Sequence, residues 1–192
     1  MVRSGVLTFG DFMTKSGRRT PFFINAGNYD TGAKMNRLGV YYARVIRDRL
    51  AGRFDCLFGP AYKGIPLAVT ASVALAREFG MDVPFCFNRK EVKDHGEGGS
   101  IVGHKPAPGE RMVIVEDVTT AGTSVRESIE LFKAMGGLEL VALVVSVDRQ
   151  ERGTGERSAL AELREELGIE TCPIVTMDEV VEHLHGRPVD GR

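Results

Sequence analysis

Two adjacent carboxylates, Glu116 and Asp117, end an apolar run in "VIVEDVTTAGTSV" (residues 113–125), and hydroxyls, alanine and glycine follow at once. Ionised carboxylates side by side at a strand end repel each other unless something positive or hydroxylated is bound between them. A sugar diol or a metal-bearing ligand would fit. In Thr119-Thr120-Ala121-Gly122-Thr123-Ser124 the small residues permit close backbone approach and the hydroxyls add donors. The helix that follows offers unpaired N–H groups at its positive end, so the stretch reads as a phosphate cradle. It is not the nucleotide P-loop, because the run holds no Lys and no Gly-Lys-Ser/Thr follows. Ser124 and Glu127 also have capping-box spacing, a structural role compatible with the first. Phosphate, diol and carboxylates in one row imply a phosphorylated sugar.

The chain must meet such a ligand locally. With 25 Lys plus Arg against 26 Asp plus Glu, the net charge is −1, which gives no bulk reason to expect nucleic acid or a membrane surface as partner. At 192 residues we expect one domain spanning residues 1–192. The three cysteines, Cys56, Cys86 and Cys172, are widely spaced and odd in number, as expected of reduced, buried thiols. No stretch approaches the roughly 18 apolar residues of a membrane span, and the N-terminus lacks an apolar signal core, so a soluble, cytoplasmic protein is expected. His183 and His185 lie one residue apart, poor spacing for a metal on a helix.

The elements that would hold the loop follow from hydrophobic periodicity. Phe54 to Phe58 reads as a short buried strand, Gly59-Pro60 as a break, about Ile65 to Phe79 as a nearly all-apolar helix, and Val83 to Phe87 as a second strand. The pattern repeats with a strand at Arg111 to Asp117, an amphipathic helix at Ser124 to Met135, a Gly136-Gly137 stop, and a strand at Leu140 to Val147. Ser158 to Leu167 reads as helix, Pro173 to Thr176 as strand and Asp178 to Leu184 as helix. Thr31 to Leu50 is helical, and Val6 to Ala26 is extended or a hairpin. Continuous Val, Ile and Leu runs suit strands covered on both faces, so the fold class is α/β with a mostly parallel sheet. Ligands bind outside the carboxyl ends of such strands, where the acidic pair lies. Arg89 to Gly109 shows no periodic signal, carries six glycines or prolines before Gly109, and has Arg89, Lys90 and Lys93 within five positions. A loop this long suggests a lid.

"VIVEDVTTAGTS" resembles the signature of the type I phosphoribosyltransferases, which use phosphoribosyl pyrophosphate (PRPP). "KSGRRTPFFINAG" (15–27), "FGPAYKGIPLA" (58–68), "FNRKEVKDHGEGG" (87–99) and "DRQERG" (148–153) are similar to the orotate-specific members of that family, in the same order along the chain. The resemblance implies a mostly parallel sheet flanked by helices, a small hood built from N-terminal segments, and a mobile lid at about 89–109. It implies that Glu116 and Asp117 face the ribose hydroxyls, and that Val118 and the run Thr119, Thr120, Ala121, Gly122, Thr123 and Ser124 wrap the 5-phosphate. Tyr62 and Lys63 would form the pyrophosphate loop, with Arg89, Lys90, Lys93 and His95 of the lid also meeting pyrophosphate. Orotate would lie against Phe22, Phe23 and Thr120, its carboxylate on Arg149, whose planar fork suits that group. Lys15 would reach both substrates.

In that reading Lys15, Lys93, His95 and Asp117 are the catalytic candidates, with His95 a stabilising cation or a proton donor to the leaving group. Mg2+ would be carried by the pyrophosphate of PRPP with no direct protein ligand. A homodimer is implied, with the lid of one subunit closing over its partner's site. Two departures stand out: the sequence before Phe12 is too short for the helix many members carry there, and Glu116 stands where many have Asp. The alternatives are a purine phosphoribosyltransferase and a PRPP-sensing regulator without catalysis. The second usually adds a nucleic-acid-binding module or basic face, and this sequence shows neither.

Overall fold

The computed structural model describes residues 1–13, 17, 19–90, 100–118, 122–152 and 157–187. The N-terminal stretch forms an antiparallel pair, β1 (Leu7–Met13) and β2 (Arg19–Ile24), which is the expected hairpin. Then follow α1 (Gly32–Leu50), β3 (Cys56–Phe58), α2 (Gly64–Phe79), β4 (Phe85–Asn88), β5 (Ile101–Gly103) and β6 (Arg111–Glu116). The chain continues through α3 (Thr123–Ala134), β7 (Glu139–Asp148), α4 (Ala159–Leu167), β8 (Glu170–Thr176) and α5 (Met177–Leu184).

Six strands form one sheet in the order β5-β4-β3-β6-β7-β8, parallel except for the antiparallel β4–β5 pair. The loop expected over residues 89–109 is therefore partly sheet. Ile-Val-Gly is too short for a period-two signal, yet it pairs with Cys86 to Asn88 and closes the edge. β8 also begins earlier than its expected start at Pro173, because Glu170 and Thr171 pair with Ala142 and Leu143 despite their polarity.

Strand alternation sorts the core. Along β6, Val113 and Val115 point to the α1 and α2 side with Tyr42, Leu57 and Leu75. Met112 and Ile114 point to the opposite face with Phe58, Phe132 and Leu163, under α3 and α4. Phe58 and Phe132 meet edge to face, their ring centroids 5.0 Å apart. The two helices of the first face approach closely at Gly39, where a Cβ would lie 2.6 Å from the Thr70 carbonyl oxygen. A third, smaller cluster of Leu7, Phe22, Val147 and Met177 fixes the hairpin over the end of β7 as a hood.

All three cysteines are free and buried. Cys56 and Cys86 sit on neighbouring strands with sulfurs 3.7 Å apart. That contact, together with burial, pushes the Cys56 thiol far up, while burial first and Glu170 second push Cys172 to about 12. Among the described residues no helix is long and apolar enough to cross a membrane.

β3 has β4 on one side and β6 on the other, so the strand order reverses between β3 and β6. The crevice at such a reversal is where open α/β sheets bind ligands.

Candidate active site

Both strands at the reversal end in polar turns. After β3 the chain passes through Gly59-Pro60-Ala61-Tyr62-Lys63 into α2, and the Ala61–Tyr62 peptide is cis. The turn is packed too tightly for side chains at its ends. A Cβ on Gly59 would lie 2.4 Å from the Gly64 carbonyl oxygen, and one on Gly64 would lie 2.9 Å from that of Val115. Asn88, at the end of β4, accepts a hydrogen bond from the Ala61 amide at 2.8 Å and so fixes the turn from the neighbouring strand. Lys63 is thereby held beside β6, and its Nζ lies 3.0 Å from Asp117 Oδ2.

The acidic pair is divided between two internal partners. Asp117 takes Lys63. Glu116 accepts the Ser124 hydroxyl at 2.7 Å on Oε2. Both carboxylates are largely buried. Burial raises the Glu116 pKa above its ordinary value, with the Ser124 bond acting against it and the Asp117 charge adding to it. The positive and hydroxylated groups that adjacent carboxylates require are therefore supplied by the protein itself. From beneath, Tyr42 of α1 donates to the Glu116 carbonyl oxygen at 2.6 Å. The Ser146 hydroxyl of β7 donates to the Asp117 carbonyl oxygen, also at 2.6 Å. Sequence reading missed both: Tyr42 looked like one more core position of an amphipathic helix, and Ser146 one polar residue in an apolar strand.

The expected cap at the start of α3 is absent. Gly122, not a side chain, caps this helix, with φ 70°, and no side-chain hydrogen bond is made. Ser124 is the second residue of the helix and its hydroxyl is turned to Glu116, so it links the start of α3 to the acidic pair. A Cβ at Gly122 would meet the Leu163 side chain at 2.7 Å, which together with its φ restricts the position to glycine. The first-turn amides of any helix lack intrahelical acceptors and carry its positive end. At α3 these are the amides of Thr123, Ser124 and Val125. Val118 packs against the hood cluster and joins the loop to β1 and β2.

On the hood side, Arg149 follows the end of β7, and its guanidinium stacks over the Phe22 ring with 5.1 Å to the centroid. Its Nη2 donates to Glu151 Oε1 at 2.7 Å. Among the described residues, Arg149 Nε is the one buried side-chain polar atom with no hydrogen-bond partner. Phe23 does not share this contact: its ring is exposed and pairs with Phe12 at 5.6 Å. Lys90 lies over the Tyr62 ring, 5.4 Å from its centroid, so the chain just after β4 touches the turn after β3. The Arg89 amide donates to Ser100 O at 2.8 Å. Lys15, Lys93, His95, Thr119, Thr120 and Ala121 lie outside the described residues.

A groove of about 1150 Å³ lies elsewhere, between α1, β8 and α5, and no expected site residue lines it. The charged groups converge at the sheet crevice instead.

The phosphoribosyl transferase domain profile matches residues 29–166. The chain is 56% identical over 191 residues to the orotate phosphoribosyltransferase of Clostridium beijerinckii, covering 100% of this chain and 85% of that protein. It superposes with a TM-score of 0.87 on the orotate phosphoribosyltransferase of Francisella tularensis, at 34% identity, covering 98% of this chain and 89% of that one. The UMP synthase of Leishmania donovani matches with a TM-score of 0.72 at 31% identity, over 96% of this chain and 36% of the longer protein. By fold, site and similarity, the chain belongs to the phosphoribosyltransferase family, and within it to the orotate phosphoribosyltransferases.

Proposed function

We propose that the chain, as a single domain, transfers the 5-phosphoribosyl group from PRPP to a ring nitrogen of orotate, giving orotidine 5'-monophosphate and pyrophosphate in pyrimidine biosynthesis. The observation that carries this reading is the pairing of two sites across one crevice. One is the cradle of Lys63, Glu116, Asp117 and the α3 N-terminus, suited to a ribose phosphate. The other is Arg149, stacked on Phe22 with a buried, unpaired Nε donor, suited to a carboxylate. A buried donor without a partner is costly, and a substrate carboxylate would satisfy it.

In this reading the α3 amides and the Thr119 to Ser124 run hold the 5-phosphate, and Glu116 and Asp117 accept the ribose hydroxyls. Asp117 exchanges Lys63 for a hydroxyl as Lys63 moves to the pyrophosphate. The base nitrogen attacks the anomeric carbon as the pyrophosphate oxygen departs, through an oxocarbenium-like state, so catalysis is positioning plus stabilisation of leaving charge. Lys63, Arg89, Lys90 and Lys93 supply cations, with Tyr62 beneath Lys90, and Lys15 and His95 stand near the reacting groups.

Mg2+ suits this donor set as an ion carried by the pyrophosphate. In this reading the two carboxylates of the crevice are taken by the ribose hydroxyls, so the pyrophosphate oxygens would be the ligands of the ion. When bound it would offset the charge of the departing pyrophosphate.

The test follows the loss of orotate absorbance with PRPP and Mg2+. Turnover with a purine base and none with orotate would overturn the proposal, and PRPP binding without turnover of any base would favour the regulator. Arg149→Lys should raise the orotate KM at least about tenfold, because an ammonium cannot reproduce the planar fork.

We also infer a homodimer in which the lid of one protomer completes the site of its partner. Mixing an inactive Lys63→Ala protein with an inactive Lys93→Ala protein should restore part of the activity. No recovery in mixed dimers would refute the shared site.

A further inference from the structure

Arg149 is held by more than stacking, and the residue that holds it lies outside the set expected from sequence. Gln150 adopts φ 53°, left-handed for a residue with a side chain. Its side chain bridges to the start of α5, donating to Asp178 Oδ2 at 2.9 Å and accepting the Asp178 amide at 2.7 Å. Its own amide donates to Asp148 Oδ1 at 2.8 Å. Just past this left-handed residue, Glu151 lies beside Arg149.

Glu151 Oε1 then accepts Arg149 Nη2 at 2.7 Å and lies 3.4 Å from Thr20 Oγ1, a buried hydroxyl of β2. The guanidinium is thus clamped by Phe22 on one face and by Glu151 on one edge, while Nε remains buried without an acceptor. A guanidinium this enclosed needs an acceptor on its edge to fix its orientation, or it turns toward water. We propose that Glu151 is a positioning residue that sets acceptor specificity. It holds Arg149 so that Nε and the remaining guanidinium protons face the carboxylate of a carboxylated pyrimidine. The proposal rests on the reading that Arg149 binds the substrate carboxylate.

The test uses the full chain with orotate and PRPP varied separately. Glu151→Ala should raise the orotate KM by about tenfold or more while the PRPP KM stays within about twofold, the signature of lost binding at one substrate only. Glu151→Gln, which keeps the acceptor oxygen and loses the charge, should recover most of the orotate KM. An unchanged orotate KM in Glu151→Ala, or equal rises in both KM values, would overturn the proposal. So would a Glu151→Gln protein as impaired as the alanine variant. If the unmodified chain fails to consume orotate, the functional reading falls. If it does consume orotate, the variants judge Glu151 alone.

Discussion

Tyr42 and Glu116 meet beneath the crevice: the phenol, wholly buried in the core between α1 and the sheet, donates to the Glu116 carbonyl oxygen at 2.6 Å. A helix on the far side of the sheet thereby fixes the backbone from which both carboxylates project. Burial raises the Tyr42 pKa well above its ordinary value, with the Asp117 charge adding to the effect, so it stays a donor at any working pH. Tyr42→Phe removes this donor from a carbonyl oxygen buried in the core. We expect a stability loss of about 1–3 kcal/mol in denaturant titrations and a PRPP KM raised severalfold.

Lys63 should matter for the ligand and little for the fold. Its side chain is 68% exposed, and its pairing with Asp117 is the kind of contact that contributes less than about 1 kcal/mol. Lys63→Met should therefore unfold almost where the parent does, while calorimetric titration shows PRPP binding weakened about tenfold or more. A large drop in stability with intact binding would contradict the assignment.

Glu116 carries a cost that the proposed ribose contact would account for. Its pKa is raised above the usual 4.5, chiefly by burial, so the folded chain holds this proton more tightly than the unfolded chain. Stability from this group therefore falls as pH climbs from 4.5 through the raised value, and the full penalty is present at neutral pH. Glu116→Gln should be more stable than the parent at pH 7, with the gap closing toward pH 4.5, and should bind PRPP more weakly. Denaturation midpoints across that range, beside a binding titration, check both halves.

Asp55 behaves in the opposite sense. Arg111 donates Nε and Nη2 to its carboxylate at 3.0 and 2.7 Å, and hydrogen bonds from the Arg111 side chain and amide hold its pKa at about 2, below the usual 3.8. The contribution is complete above 3.8 and is lost as pH falls through about 2. Asp55→Asn should flatten the acid limb of the unfolding curve in that window and leave catalysis untouched.

The expected elements matched well where the apolar signal was long. The strand at Arg111 and the helices from Thr31 and Ile65 fall within a residue or so of their sequence limits, because their burial is two-sided or strongly periodic. What the sequence hid depends on distant partners. β5 is a three-residue edge strand that exists because β4 offers a free row of hydrogen bonds. Ser124 has capping-box spacing, yet a buried carboxylate eight residues upstream takes its hydroxyl. Tyr42, Ser146 and Glu151 act through groups remote in sequence or brought round by a strained turn, and local spacing carries no trace of that.

The enclosure of Cys56, Cys86 and Cys172 has a practical corollary. Thiol reagents attack the thiolate; all three sulfurs are shielded from solvent, and Cys56 and Cys172 are also held in the neutral form by raised pKa values. A cysteine introduced at an exposed position such as Lys90 would be the preferred target for a maleimide dye. Without removing a native sulfur, the fold provides a clean background for attaching a fluorescent reporter beside the crevice.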